Sequence, residues 1–114
     1  MMPDLYGVML EAAKQAHGNS VAHGFWPGGV ECANKAEKIA LMHSELSELL
    51  EATRRQIPRF SVNIHEFTEE EEELADVVIR VLDYAGAFGL NLGLAIMKKH
   101  EYNLKRPFQH GKRI

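Results

Sequence analysis

A six-residue pattern occurs twice in the chain and restricts its fold more than any other feature. Residues 45–50 (ELSELL) and 73–78 (ELADVV) both read acid, leucine, small residue, acid and two apolar residues. Because successive helix residues rotate by about 100°, the two acids of each copy lie about 60° apart on one face. The apolar positions cover the adjoining face, so both copies predict a helix with an acidic edge beside an apolar surface.

Helical spacing of apolar residues extends over most of the chain, and turn or capping residues separate the segments. Thr68 followed by Glu71 fits a capping box, and Asn91 is a suitable N-cap. The predicted elements are a helix ending at Gly18, a loop at 18–30, a helix from Glu31 to Gln56, a connection at 59–67, a helix after Thr68 and a helix from Asn91 to Lys105.

The pattern of elements predicts an all-α protein, because no alternating apolar and polar run of strand length occurs. The chain has 114 residues, of which 46% are hydrophobic and 25% charged, which is typical of one globular domain. We therefore expect residues 1–114 to form a single bundle of about four helices. If the two acidic helices pack as an antiparallel pair, their four carboxylates converge on one edge.

These four carboxylates, of Glu45, Glu48, Glu73 and Asp76, would repel one another unless a cation were bound or their pKa values were raised. Oxygen-only ligands suit Mg²⁺ or Mn²⁺, whereas zinc usually recruits His or Cys. The absence of a Glu-x-x-His motif disfavours a di-iron carboxylate bundle. The alternative is that both acid pairs are ordinary solvated helix surface. A magnesium site with bound substrate phosphates is the more specific prediction.

Charge and cysteine content exclude several other classes of protein. The formal net charge of −3 disfavours a general nucleic-acid binder, which would need an excess of Lys and Arg. The lone Cys32 cannot form an internal disulfide, and no signal-peptide pattern is present, so a reducing cytoplasm is expected. No uninterrupted apolar segment is long enough to predict a membrane span.

Two further groups of residues are candidates for contacts with a nucleotide. Lys99 and Asn103 share one face of the last helix, Arg106 follows one turn later, and the three suit a phosphate. The alternative is that the basic residues Lys98, Lys99, Lys105 and Arg106 complement the negative end of the helix dipole. His110, Lys112 and Arg113 could extend this anion site or form a solvated tail. In the loop, Trp26, Phe25 and His23 could bind a nucleobase by stacking, or the tryptophan could be an aromatic plug that closes the bundle.

At this point the residues resemble the MazG-like family of all-α nucleoside triphosphate pyrophosphohydrolases. The family pattern of Glu-x-x-Glu, a spacer and Glu-x-x-Asp is met with 24 residues between the pairs. Further similar stretches extend the resemblance over most of the chain from about residue 23 onward. They are Gly24-Phe25-Trp26, the run from Lys38 to Ala52, and the ending Tyr102-Asn103-Leu104-Lys105-Arg106-Pro107 with His110-Gly111-Lys112.

The resemblance implies that the four acids bind Mg²⁺ and that Lys99, Asn103 and Arg106 contact the phosphates. It also implies a homodimer or homotetramer, with sites near the subunit contacts. The expected reaction converts a (deoxy)nucleoside triphosphate to the monophosphate and pyrophosphate, through attack of a metal-activated water on the α-phosphorus. Glu45 or Glu48 would orient or deprotonate that water.

Two other hypotheses remain open from the sequence. One is a non-catalytic helical oligomerisation module. The other is the same fold acting on dUTP, dUDP or an alarmone of the guanosine tetraphosphate type.

Overall fold

The structure is a computed structural model that describes residues 1–111, apart from the side chain of His110. The expectations for that side chain, Lys112 and Arg113 therefore lie outside the described residues. The described part of the chain is all-helical, and its one β-type pairing is an isolated bridge between Phe60 and Thr68. Its helices are α1 (Tyr6–Ala22), α2 (Lys35–Thr53), α3 (Glu69–Phe88) and α4 (Leu92–Leu104), with short 3-10 turns at Val30–Cys32 and Phe108–Gly111.

Helix α3 is the central element, because it packs against both α1 and α2, whereas α4 packs mainly on α1. Two glycines allow these helices to approach closely. A Cβ atom on Gly86 of α3 would lie 2.4 Å from the carbonyl oxygen of Ala13 in α1. A Cβ atom on Gly93 of α4 would lie 2.5 Å from the carbonyl oxygen of Leu5. Any larger residue at either position would force the helices apart.

The predicted helix starts of α3 and α4 are confirmed by their caps. Thr68 and Glu71 form the reciprocal capping box, with the Thr68 hydroxyl accepting from the Glu71 amide at 3.1 Å. The Asn91 side chain accepts from the amide of Leu94 at 3.3 Å. Gly89 ends α3 in the left-handed conformation, with φ of 63°. The predicted connection at 59–67 contains no helix.

The boundaries of the first two helices differ from the prediction. Helix α1 continues through Gly18 to Ala22, since a glycine inside a helix costs only about 1 kcal/mol and tertiary contacts outweigh it. Helix α2 begins at Lys35 rather than Glu31, because Asn34 caps it by accepting from the amide of Glu37. It ends at Thr53, three residues before the predicted end at Gln56.

Much of the predicted apolar stripe on α2 and α3 is not covered within one chain. We expected the two apolar faces to pack against each other, yet Leu46 is 47% exposed and Leu74 is 52% exposed. Leu50 and Val78 are also about half exposed, whereas Met42 and Leu49 are partly covered. The two helices thus meet along one flank of their apolar faces and leave the other flank open.

Within residues 1–111, no single helix is long and apolar enough to cross a membrane. Helices α3 and α4 satisfy that test only as a pair, by length and composition, and the pair is bent by 114° at its junction.

Candidate metal centre

Three of the four predicted carboxylates converge between α2 and α3. Glu45 from α2 and both Glu73 and Asp76 from α3 each present one oxygen atom, and these atoms lie within 4.8 Å of one another. The spacing of three residues places Glu73 and Asp76 one helical turn apart on the same face. All three side chains are partly buried, so water does not fully screen their charges.

The electrostatics of the cluster are unfavourable without a cation. Burial raises the pKa of Glu73, and the neighbouring charges of Asp76, Glu72, Glu48 and Glu45 raise it further. Burial also raises the pKa of Asp76, as do Glu45 and Glu72, while the nearby Arg80 guanidinium partly offsets this rise. The protein therefore holds carboxylates together at a cost that a bound cation would remove.

The donor set fits a hard divalent cation. Mg²⁺ takes octahedral oxygen ligands at about 2.0–2.1 Å, which puts neighbouring ligand oxygens about 3 Å apart and opposite ones about 4 Å apart. The three carboxylate oxygens lie within 4.8 Å of one another, which is close to the spacing that such an ion requires. The group contains neither His nor Cys, which disfavours zinc. Glu45, Glu73 and Asp76 are thus the residues that would hold such an ion.

Glu48, the fourth predicted carboxylate, lies at the edge of this group. It is exposed on α2, one turn after Glu45, and it is outside the set of three converging oxygens. Its charge nevertheless contributes to the raised pKa of Glu73, so the two carboxylates are within electrostatic reach. The expected convergence of all four acids is met by three in direct proximity and one at the rim.

A cavity of about 330 Å³ opens beside Glu45 and Asp76. Its walls come from α1, α2, α3 and the loop after α1, and they combine apolar, amide, hydroxyl and charged side chains. The lining residues are Ala16, Asn19, Ser20, His23, Phe25, Glu45, Asp76, Ile79, Arg80 and Asp83. Two of the three predicted base-binding residues, His23 and Phe25, are therefore placed in a cavity that adjoins the carboxylates.

Trp26, the third predicted base-binding residue, is buried as an aromatic plug, which was the alternative prediction for it. It is 5% exposed, and its indole nitrogen donates to both carboxylate oxygens of Asp83, at 3.0 and 3.2 Å. The Lys38 ammonium lies 4.1 Å from the ring centroid, and the rings of His17 and Phe88 meet it edge to face. Because protein groups surround the indole, it is not open for stacking on a nucleobase within this chain.

Arg80 and Asp83 are cavity residues that sequence reasoning missed. Arg80 Nε donates to Glu45 Oε1 at 3.3 Å, and its guanidinium carbon lies 5.2 Å from the centroid of the Phe25 ring. The spacing of four residues from Asp76 to Arg80 could have revealed the arginine, since it places both on one helix face. Asp83 contacts His17 Nδ1 at 2.9 Å across α1 and α3, and no local pattern predicts such a contact.

The predicted phosphate-binding residues, on α4 and just after it, do not meet the carboxylates within one chain. Lys99 and Asn103 line a separate groove with Met2, and the carboxylate cavity has no lining residue from α4 in the part of the chain that the structure describes. Lys99 and Arg106 both lie over the Tyr102 ring. The Lys99 ammonium nitrogen is 4.6 Å from the ring centroid, and the Arg106 guanidinium carbon is 5.5 Å from it. The buried Asn103 Oδ1 accepts no hydrogen bond among residues 1–111.

Comparisons of the chain with models of protein families, with curated proteins and with solved structures find no significant match.

Proposed function

We propose that the chain is a Mg²⁺-dependent nucleoside triphosphate pyrophosphohydrolase of the MazG-like type, releasing a nucleoside monophosphate and pyrophosphate. The observation that carries this proposal is the convergence of Glu45, Glu73 and Asp76 beside a cavity. A volume of about 330 Å³ is within the usual range of small-molecule sites, about 300–1,000 Å³. Clustered carboxylates next to such a cavity suit a metal-chelated phosphate substrate with an organic group.

The acidic residues divide into two roles in this proposal. Glu45, Glu73 and Asp76 hold the divalent ion, which when bound would lower the pKa of a water and neutralise charge on the leaving pyrophosphate. Glu48 lies at the rim with an exposed carboxylate, so it is free to orient the attacking water and accept its proton. Between the two carboxylates considered for that step, Glu45 pairs with Arg80 in the absence of the ion and would be a ligand of the ion once it is bound.

The phosphate-binding role of Lys99, Asn103 and Arg106 requires a second copy of the chain. These residues lie apart from the carboxylate cavity of their own chain, so a neighbouring subunit would have to supply them. The half-exposed leucines on α2 and α3 support association, since apolar surface of this kind is commonly covered by another subunit. A homodimer or homotetramer with sites near the subunit contacts is therefore part of the proposal.

The decisive experiment is incubation of the purified protein with ribo- and deoxynucleoside triphosphates in Mg²⁺, with pyrophosphate release as the measurement. Mn²⁺ and EDTA provide the metal controls, and dUTP, dUDP and a guanosine tetraphosphate test the related substrates. Pyrophosphate release that depends on the divalent ion supports the proposal. Absence of hydrolysis with every nucleotide would favour a non-catalytic oligomerisation module instead.

Two substitutions test the assigned carboxylates. Glu48→Gln should reduce kcat by about 10²–10⁴-fold, because a positioned base contributes that much to a hydrolysis step. Asp76→Asn should abolish Mg²⁺-dependent turnover by removing an ion ligand. The matched control is Glu70→Gln, which neutralises an exposed acid in the first turn of α3. Near-normal activity of Glu48→Gln or Asp76→Asn, with unchanged helix content, would refute the role of that residue.

A further inference from the structure

We propose that Arg80 is the phosphate-contacting arginine of this site, held by Glu45 until a divalent ion takes that carboxylate and then released to the α-phosphate of the nucleotide. This inference rests on the proposed function and adds a residue and a sequence of binding events to it. It concerns a cation on the same chain as the carboxylates, in contrast to the basic residues of α4.

Arg80 both contacts the carboxylate cluster and lines the adjoining cavity. It lies one helical turn after Asp76 on α3, and its Nε is 3.3 Å from an oxygen of Glu45, one of the three converging carboxylates. It also lines the cavity, among whose described lining residues it is the one Lys or Arg side chain. A phosphate that bridges the ion and the organic group in the cavity would therefore pass beside this guanidinium.

The guanidinium retains unused hydrogen-bonding capacity. An arginine side chain has five N–H donors, and the bond from Nε to Glu45 is the one hydrogen bond that Arg80 makes within residues 1–111. Its side chain is 25% exposed, and it lines the cavity, so the guanidinium is accessible to a ligand there. A phosphate could accept two parallel hydrogen bonds from such a fork.

Neighbouring residues keep the guanidinium directed to the cavity. The Phe25 ring lies 5.2 Å from its central carbon and stabilises the cation by its π-face. Asp83 also lines the cavity, but its oxygens already accept from the Trp26 indole and contact His17. Asp83 therefore does not compete with Glu45, or with a phosphate, for Arg80.

Charge balance explains why Glu45 should release the arginine. Without metal, Arg80 is the cation paired with the cluster, since its Nε donates to Glu45 Oε1 at 3.3 Å. A divalent ion held by these carboxylates would supply twice that charge and would repel the guanidinium. The ion and Arg80 thus compete for Glu45, whereas Arg80 and the substrate phosphate attract each other.

This competition predicts opposite effects of one substitution on two ligands. Arg80→Met removes a positive charge beside the carboxylates, so Mn²⁺ alone should bind about 3- to 10-fold more tightly. The same variant loses a charge-assisted contact, so an α,β-methylene triphosphate analogue should bind about 10- to 100-fold more weakly in the presence of Mn²⁺. Arg80→Lys keeps the charge, so its affinity for Mn²⁺ should equal that of wild type. Its affinity for the analogue should lie between those of wild type and Arg80→Met.

The experiment measures both dissociation constants by calorimetry, with Mn²⁺ binding also followed by electron paramagnetic resonance. Arg54→Met, which removes an exposed arginine paired with Glu51, is the matched control and should leave both constants unchanged. The role of Arg80 would be overturned if Arg80→Met bound both ligands as wild type does, or bound both equally more weakly, while Arg80→Lys behaved like wild type. Hydrolysis by the wild type would in that case still support the proposed enzyme. A wild-type protein that neither binds Mn²⁺ nor hydrolyses nucleotides would overturn both proposals.

Discussion

Glu73 and Asp76 are the residues at which burial and charge conflict most directly in this chain. Both pKa values are raised, first by burial and then by neighbouring carboxylates. A carboxyl group with a folded-state pKa above its unfolded value contributes most to stability below the unfolded pKa, and that contribution is lost as pH rises through the folded pKa. The metal-free protein therefore loses stability at this site between acidic and neutral pH.

The residue-scale prediction is that Asp76→Asn raises the melting temperature in EDTA at pH 7, because it removes one ionised member of the cluster. This advantage should shrink as pH falls through the raised pKa of Asp76, because protonation removes the same charge from the wild type. Mg²⁺ at about 100 times its Kd should stabilise the wild type by about 2.7 kcal/mol and leave the variant unchanged. Thermal unfolding followed by circular dichroism, with and without Mg²⁺, checks each expectation. A variant less stable than wild type in EDTA would contradict the repulsion argument.

At the scale of the helix, the contact between α1 and α3 determines where the cavity walls stand. Gly86 lets α3 lie directly on the backbone of α1 at Ala13, and this contact brings Asp83 within reach of His17. The loop after α1 then places Trp26 over Asp83 and Phe25 beside Arg80. The carboxylates are thus supplied by α2 and α3, while the opposite wall of the cavity depends on how α1 packs against α3.

The element-scale prediction compares two glycines in helices. Gly86→Ala should destabilise the fold by about 1–3 kcal/mol, because its methyl group would overlap the Ala13 carbonyl. Gly18→Ala in α1 meets no atom within 4 Å and should stabilise by about 0.5–1 kcal/mol through better helix propensity. Urea unfolding of both variants gives the comparison. Equal effects of the same sign would show that helix propensity, not the close contact, governs position 86.

At the scale of the whole molecule, one chain leaves a large part of its apolar surface uncovered. Leu46, Leu50, Leu74 and Val78 lie on α2 and α3 and remain about half exposed. The bundle would bury this surface most directly against a second copy, which is also the proposed source of Lys99 and Arg106 for the site. Association and completion of the site are therefore expected to occur together.

The molecule-scale prediction is that Leu46→Glu shifts the protein towards monomers. A buried leucine contributes about 1.5–3 kcal/mol, and a two-fold symmetric dimer contains it twice, so the dissociation constant should rise by more than about 100-fold. Sedimentation velocity over a range of concentrations measures the change. Val62→Glu, in the connection before α3 and 82% exposed, is the control that should not alter association. A wild-type protein that is monomeric throughout would refute the proposed assembly.

The features that could be predicted from the sequence depend on neighbours close along the chain. The capping box at Thr68, the Asn91 cap, the helical periodicity and the spacing of Glu73 to Asp76 all act within one or two turns, so local residue types are sufficient to indicate them. The all-helical fold follows from the same information. The continuation of α1 past Gly18 was missed because it accompanies tertiary packing of α1 against α3, which includes the contact between His17 and Asp83.

Only the tertiary structure decided which acids meet and what surrounds them. Equivalent positions in the two acidic repeats have different environments, since Asp76 joins the cluster while Glu48 stays exposed at its rim. The pairing of Arg80 with Glu45, the burial of Trp26 on Asp83 and the separation of α4 from the carboxylates depend on how helices distant in sequence pack. Residue spacing determines the face of a helix on which a side chain lies, but close contacts such as that at Gly86 determine what that face meets.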